Sequence, residues 1–569
     1  MNNRVSILVL SSSLILSGCG GGGDTTEPAP DVVSGNSPTT STVTTTGTIT
    51  GFGSVIVNGV HYSTSGSTIS TDDNPSALEQ ELAVGMVVQL EGTVKSDGSG
   101  GTARTIKYGA QLEGPVTFID LANKQITMLG QIVQTDDLTV FERTTLATIK
   151  VGDILEVSGL VKAAGQFYAS RVEHETKQAN SFKVFGTVAN LDTTAQTFSV
   201  SDLKVKYSTA RFEDFTMAEL ANGQAVKVKG QQYDTATNSI VATVVDLQKS
   251  TPATSEKVWM EGIVSGYQPD VSLVLNGQTF LLTAETKFEY GLKTLLANGI
   301  SIKLKAKQVG GNWQIEKVSF INQAVMKLSG NVSAIDLTNN TFTIGTTTFV
   351  VTAQTVLKDD SSRAVRFFDL KSLVVNDYLE VAAYKNAEGA NVALKVEREN
   401  GGASDGSIEL KGIPTAVTAD GFTLFGREIV TDSNTRYEND DAVLTKTEFF
   451  ALLSATTVVE VHAMPANGKL LASRIEIKAP RKPGDGSKAV GLVEFKGALT
   501  AKRELQIEVN GFTVNIKPAT KLKIGTTKNM TPTDFINGLI IGETVKVEGI
   551  ADANKVVTAI EIEAEREKD

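Results

Sequence analysis

The sequence predicts an all-β protein with only short helices, and three observations predict it. An alternating apolar–polar run preceded by a glycine-like turn recurs seven times. A strand carrying a glycine opens each recurrence, and Asn-Gly hairpin signals fall between the two. Helical character is confined to short apolar stretches, so strand periodicity dominates.

The recurring run is clearest as Gly85-Met86-Val87-Val88-Gln89-Leu90-Glu91-Gly92 and Gly152-Asp153-Ile154-Leu155-Glu156-Val157-Ser158-Gly159. Its seven copies end at residues 92, 159, 230, 306, 383, 463 and 549, 67 to 86 residues apart. The opening strands carry Gly47, Gly114, Gly186, Gly262, Gly330, Gly412 and Gly497. A second strand leads into a hairpin at Asn58-Gly59, Asn276-Gly277 and Asn510-Gly511, where Asn-Gly supplies the positive φ angles of a type I′ turn. The third strand ends near a threonine such as Thr286, Thr355 or Thr520. A short apolar stretch with helical character follows, as in Leu292 to Leu296 or Phe367 to Leu370. The recurring run is the fourth strand. A polar turn then leads to a fifth, such as Ala169-Ser170-Arg171-Val172. The order is β-β-β-short α-β-β.

Strict alternation buries one face of each strand, and five short strands bury a common face best by curling up. A five-stranded Greek-key barrel with a helix between strands three and four is the OB arrangement; a flat meander sheet packed on a neighbour is the alternative. The expectation is seven tandem five-stranded OB-like small barrels, beads-on-a-string or stacked, over residues 43–110, 111–178, 182–249, 256–322, 325–400, 407–479 and 488–566. The pattern resembles a bacterial family catalogued only as a domain of unknown function, found in tandem on secreted proteins and lipoproteins. That resemblance implies no established activity. In copies five to seven the opening glycine lies 53, 51 and 52 residues before the terminal small residue, against 44 or 45 in copies one to four. The additions, around Asp359 to Phe368, Asn439 to Phe450 and Gly525 to Phe535, are the expected places of specialisation.

Ahead of the copies, Arg4, the apolar stretch Val5 to Leu16 and a small-residue site form a secretory leader over residues 1–18. The stretch is too short to span a bilayer, which takes roughly 20 residues. Leu16-Ser17-Gly18-Cys19 resembles the bacterial lipobox, which implies cleavage before Cys19 and acylation of its thiol with a palmitate-type chain. Several acyl chains on one residue, each buried CH₂ contributing about 0.8 kcal/mol, anchor a protein stably. Gly20 at the next position implies, by the same resemblance, sorting to the outer membrane. Residues 19–42 read as a disordered Gly/Thr/Pro tether, too poor in apolar side chains to fold, with a mean reach of roughly 30 Å.

Lys+Arg 53 against Asp+Glu 64, a net charge of −11 and 6% aromatics exclude a basic groove with stacking rings, so nucleic acid and anionic lipid are poor partners. Histidine occurs only at His61, His174 and His462, in three different copies, and the one cysteine is Cys19. No metal-ligand, nucleophile or phosphate-loop motif is present, so neither enzyme activity nor a cofactor is expected. The acidic pairs Asp72-Asp73, Asp136-Asp137, Asp359-Asp360 and Asp440-Asp441 lack calcium-loop spacing and read as solvated loop charge or incidental calcium ligands. Three positions before the opening glycines stand Thr44, Gln111, Lys183, Trp259, Lys327, Glu409 and Glu494, an outward position occupied by one tryptophan. Trp259 and Trp313, both in copy four, form either a sugar-stacking or partner-binding face, or a contact between copy four and copies three or five. The reading is a non-enzymatic envelope lipoprotein whose array binds a glycan or an envelope protein. A passive spacer is the alternative, and an enzyme in the longer loops comes third.

Overall fold

A computed structural model describes residues 40–564 except 97, 99, 121–123, 176–180, 236, 249–254, 387, 402–407, 440–441, 455, 479–491, 510–511, 519, 526 and 552–555. Copy one sets the pattern with β1 (Thr40–Gly51), β2 (Val55–Val57), β3 (Val60–Ser63), β4 (Thr68–Ser70), β5 (Val87–Lys95) and β6 (Gly101–Tyr108). β1 pairs antiparallel with β2 and β5, β2 with β3 and β5 with β6, while β3 runs parallel to β6. The ladder closes in the order β1-β2-β3-β6-β5-β1, the OB connectivity, with Val43, Ile49, Val57, Tyr62, Leu90 and Ile106 in its core. The sequence pattern misses β4, a three-residue strand parallel to β6 and too short to show alternation. The expected short helix is a single 3₁₀ turn, Glu79–Glu81, in copy one and an α-helix in copies six (Lys446–Leu452) and seven (Pro532–Gly538).

Two recurrent signals acquire physical causes. At Gly47 a Cβ would sit 2.6 Å from Asn58 Oδ1, because the first strand coils beneath the hairpin turn and leaves no room for a side chain. The small residue ending each recurring run marks a register shift in all seven copies, from Glu91/Gly92 to Glu548/Gly549. Such a bulge frees a carbonyl on the opposing strand. The third-strand threonine satisfies it: Thr286 Oγ1 donates to the Ile315 carbonyl, Thr355 to Ala393 and Thr520 to Ala559, at 2.8–2.9 Å. An unsatisfied buried carbonyl costs about 1–3 kcal/mol, and a hydroxyl accompanies the bulge in six copies, as threonine in five and as Ser67 in copy one, while copy three has Ala210 there.

Copy six departs from closure. Its first strand, Ile408–Gly412, stops at Ile413-Pro414, where proline has no N–H for the ladder. Only an isolated bridge, Thr415 to Thr423, joins it to the second strand.

The added residues of copies five to seven contribute to the barrel cores. They deliver Phe368, Phe449 and Phe535, all buried, into their cores. In copy five the segment folds over Arg398, whose guanidinium is held by Asp359 and Asp377.

Of the two expected arrangements, the copies adopt the stacked one. The opening strands of copies two and three pair antiparallel (Lys183 with Glu113), as do those of copies five and six (Lys327 with Lys411), and β1 pairs parallel with Lys257–Gln268 of copy four. Copies four and seven share one apolar cluster.

Candidate functional site

Outward side chains of the first and fourth strands dock the copies together. In copies one to six the position three residues before the opening glycine lies at a seam: Thr44 Oγ1 bonds Ser255 at 2.8 Å, and the Gln111 backbone carbonyl accepts the Phe185 N–H. Lys183 pairs with Glu113, and Lys327 with Glu409 at 3.1 Å.

Trp259 obeys the same rule, which corrects the aromatic-face expectation. It points away from its own barrel, but outward there means into copy one, and it is 4% exposed within the copy-one cluster. Its partner is copy one, rather than copy three or five. Trp313, 7% exposed, belongs to the core of copy four. The two indoles therefore share no accessible face. Lys305 Nζ lies 3.8 Å over the Trp259 ring, and burial with repulsion from Lys317 brings its pKa down to about 8. With both tryptophans buried, the emission of the folded protein is expected to be blue-shifted and weakly quenched by acrylamide. Exposed-indole emission with strong quenching would contradict this placement.

The acidic pairs are also corrected: within the described residues Asp72, Asp73 and Asp137 bind lysines of other copies, and Asp359 and Asp360 are paired inside copy five, rather than being solvated loop charge. Asp72 takes Lys227 Nζ at 3.0 Å, and its carbonyl takes Lys229, joining copies one and three. Asp137 of copy two binds Lys411 of copy six at 2.6 Å and its own Lys124 at 3.0 Å. Burial opposes ionisation of Asp137, but Lys411 and Lys124 prevail and hold it well below the usual carboxylate range. Lys358 of copy five pairs with Asp360 and reaches copy two through the Phe141 carbonyl and Glu142. Asp440-Asp441 lies outside the described residues.

At the junction of copies one, two and three, Asp73, Glu113 and Glu156 each offer an oxygen within 4.8 Å of the others. That is the spacing of a cation site, and the chain supplies the cation. Lys183 Nζ lies 2.9 Å from Asp73 and 2.7 Å from Glu113. Tyr108 donates to Glu156 at 2.6 Å, and burial pushes the Glu156 pKa up to about 7. These carboxylates and the Lys183 ammonium join copies one, two and three.

The three histidines remain apart. His61 bonds Ser54, His174 faces Asp153 and His462 faces Glu460. Cys19, the expected lipid-bearing residue, lies outside the described residues.

A cleft enclosing about 90 Å³ opens where copies one, two, four and five meet. Thr48 and Thr50 of β1 form part of one wall, with Glu261 of copy four. Both Glu261 oxygens are engaged by Thr48, through its N–H at 2.9 Å and its hydroxyl at 3.1 Å. Opposite Glu261 on the paired strand, Lys303 of copy four donates to Gln354 Oε1 of copy five at 2.5 Å. Tyr384, with its pKa pushed up to about 12 by burial, bonds Asn322 on the connection between copies four and five. Tyr290 stands beside it, 42% exposed. Sequence reasoning missed this cleft because residues 48 to 394 converge only through docking.

No curated protein matches the chain. The family described as "Domain of unknown function (DUF5666)" matches it seven times, over residues 42–107, 113–173, 185–246, 261–318, 329–397, 411–476 and 496–563. These segments span most of the sequence and coincide with the seven copies, so the chain belongs to the DUF5666 family as a tandem of seven copies.

Proposed function

We propose that this protein is a non-enzymatic lipoprotein of the cell envelope, anchored in the outer membrane through Cys19, whose docked barrels act together as one binding body for a glycan or envelope-protein ligand. The observation that carries the binding reading is the cleft between copies one, two, four and five, which no single copy could form. The anchor rests on the leader and on Leu16-Ser17-Gly18-Cys19.

The spacer reading draws support from the buried ion pairs between copies, which rigidify the array. The cleft weighs against a purely passive role, because a spacer needs no hydroxyl- and amide-lined concavity. A Cys19→Ala variant is expected to lose palmitate labelling and leave the outer-membrane fraction. Retention of label and fraction by that variant would contradict the anchor.

A further inference from the structure

The cleft's chemistry narrows its ligand. Its two charged side chains, Glu261 and Lys303, are of opposite sign and stand opposite each other on one strand pair, so the lining carries no net charge; Thr48 hydrogen-bonds the first and Gln354 the second. The cleft's net charge therefore favours neither an anionic nor a cationic ligand. The other polar side chains named in its lining are neutral: Ser319, whose hydroxyl donates to Glu289, Thr352, whose hydroxyl accepts from the Gln354 N–H, the Asn322 amide and the Tyr290 and Tyr384 phenols. Thr50, which borders the cleft, keeps a buried hydroxyl with no partner. Between these groups lie apolar surfaces from Val140, Phe320, Val356 and Leu394.

Neutral donors and acceptors interleaved with apolar and aromatic surface suit a ligand with hydroxyls on its rim and C–H groups on its faces. We infer that the cleft binds a neutral saccharide unit, with Tyr290 at its mouth as the stacking residue. The inference rests on the binding reading above and names its ligand class. It also moves glycan recognition from the two buried tryptophans to a site assembled from four copies.

The test uses the full chain in detergent, titrated with D-glucose, D-galactose, D-mannose and N-acetyl-D-glucosamine, each to about 10 mM. Trialanine blocked as its N-acetyl amide serves as a neutral probe that is not a sugar. Saturable binding of at least one sugar is expected, weakened about tenfold in Tyr290→Ala and retained within about twofold in Tyr290→Phe, as stacking requires. Tyr290 is half-exposed, so both variants should melt with the parent protein. Sugar binding indifferent to Tyr290→Ala overturns the site. Saturation by trialanine alone, lost in Tyr290→Ala, overturns the saccharide assignment and leaves the binding reading standing. Saturation by none of the probes overturns both.

Discussion

Arg398→Met is expected to destabilise copy five by about 3–5 kcal/mol, the range for removing one partner of a buried ion pair. Arg398 is 1% exposed, and its Nε donates to Asp359 at 2.9 Å. Its terminal nitrogens reach the Ser372 carbonyl at 3.1 Å and Asp377 at 3.3 Å, with the guanidinium 4.6 Å from the Phe368 ring. Methionine restores much of the volume but leaves Asp359 buried without its counterion. Burial alone would raise the Asp359 pKa; the Arg398 bonds, with those from Ser361 and Val365, overcome it and hold the carboxyl well below the usual range. A depressed folded pKa gives stability that is present above the unfolded value and lost as pH falls. The variant should therefore show its largest deficit near neutrality and a smaller one in acid, measured by urea unfolding.

Glu156→Gln is expected to act in the opposite direction. Burial raises the Glu156 pKa from 4.5 to about 7, and neighbouring Glu113 and Glu173 push the same way against Lys183 and the Tyr108 bond. Between these pH values the folded state holds a proton that the unfolded chain has released. The stabilising contribution is thus complete below about pH 4.5 and lost as pH rises through about 7, on the order of 3 kcal/mol in total. Glutamine keeps an oxygen to accept from Tyr108 and never ionises. The variant should match the parent below pH 4.5, exceed it above pH 7 and flatten the profile between. Equal stabilities at pH 8 would contradict the raised pKa.

The barrel was legible because its signals are local. Alternation, the Gly47-type glycine and the bulge residue each act within one copy and repeat seven times, and the threonine after the third strand repeats in five. β4 escaped because three residues, Thr68–Ser70, carry no period. The seams were illegible for another reason: an outward residue on an isolated strand looks solvated whether water or a second barrel covers it. Asp72 and Lys227 stand 155 residues apart, and nothing near either one announces the other. Trp259 was read correctly as outward, but its direction says nothing about what lies outside. The same limit hid the cleft, whose walls come from four copies.

Buried charged seams joining the copies into one body are the central claim, and small-angle scattering of the chain from residue 40 tests it most directly. A compact chain of this length has a radius of gyration of about 24 Å, and values close to that are predicted at infinite dilution. A radius of about 35 Å or more, as for seven barrels strung on flexible links, would contradict the account.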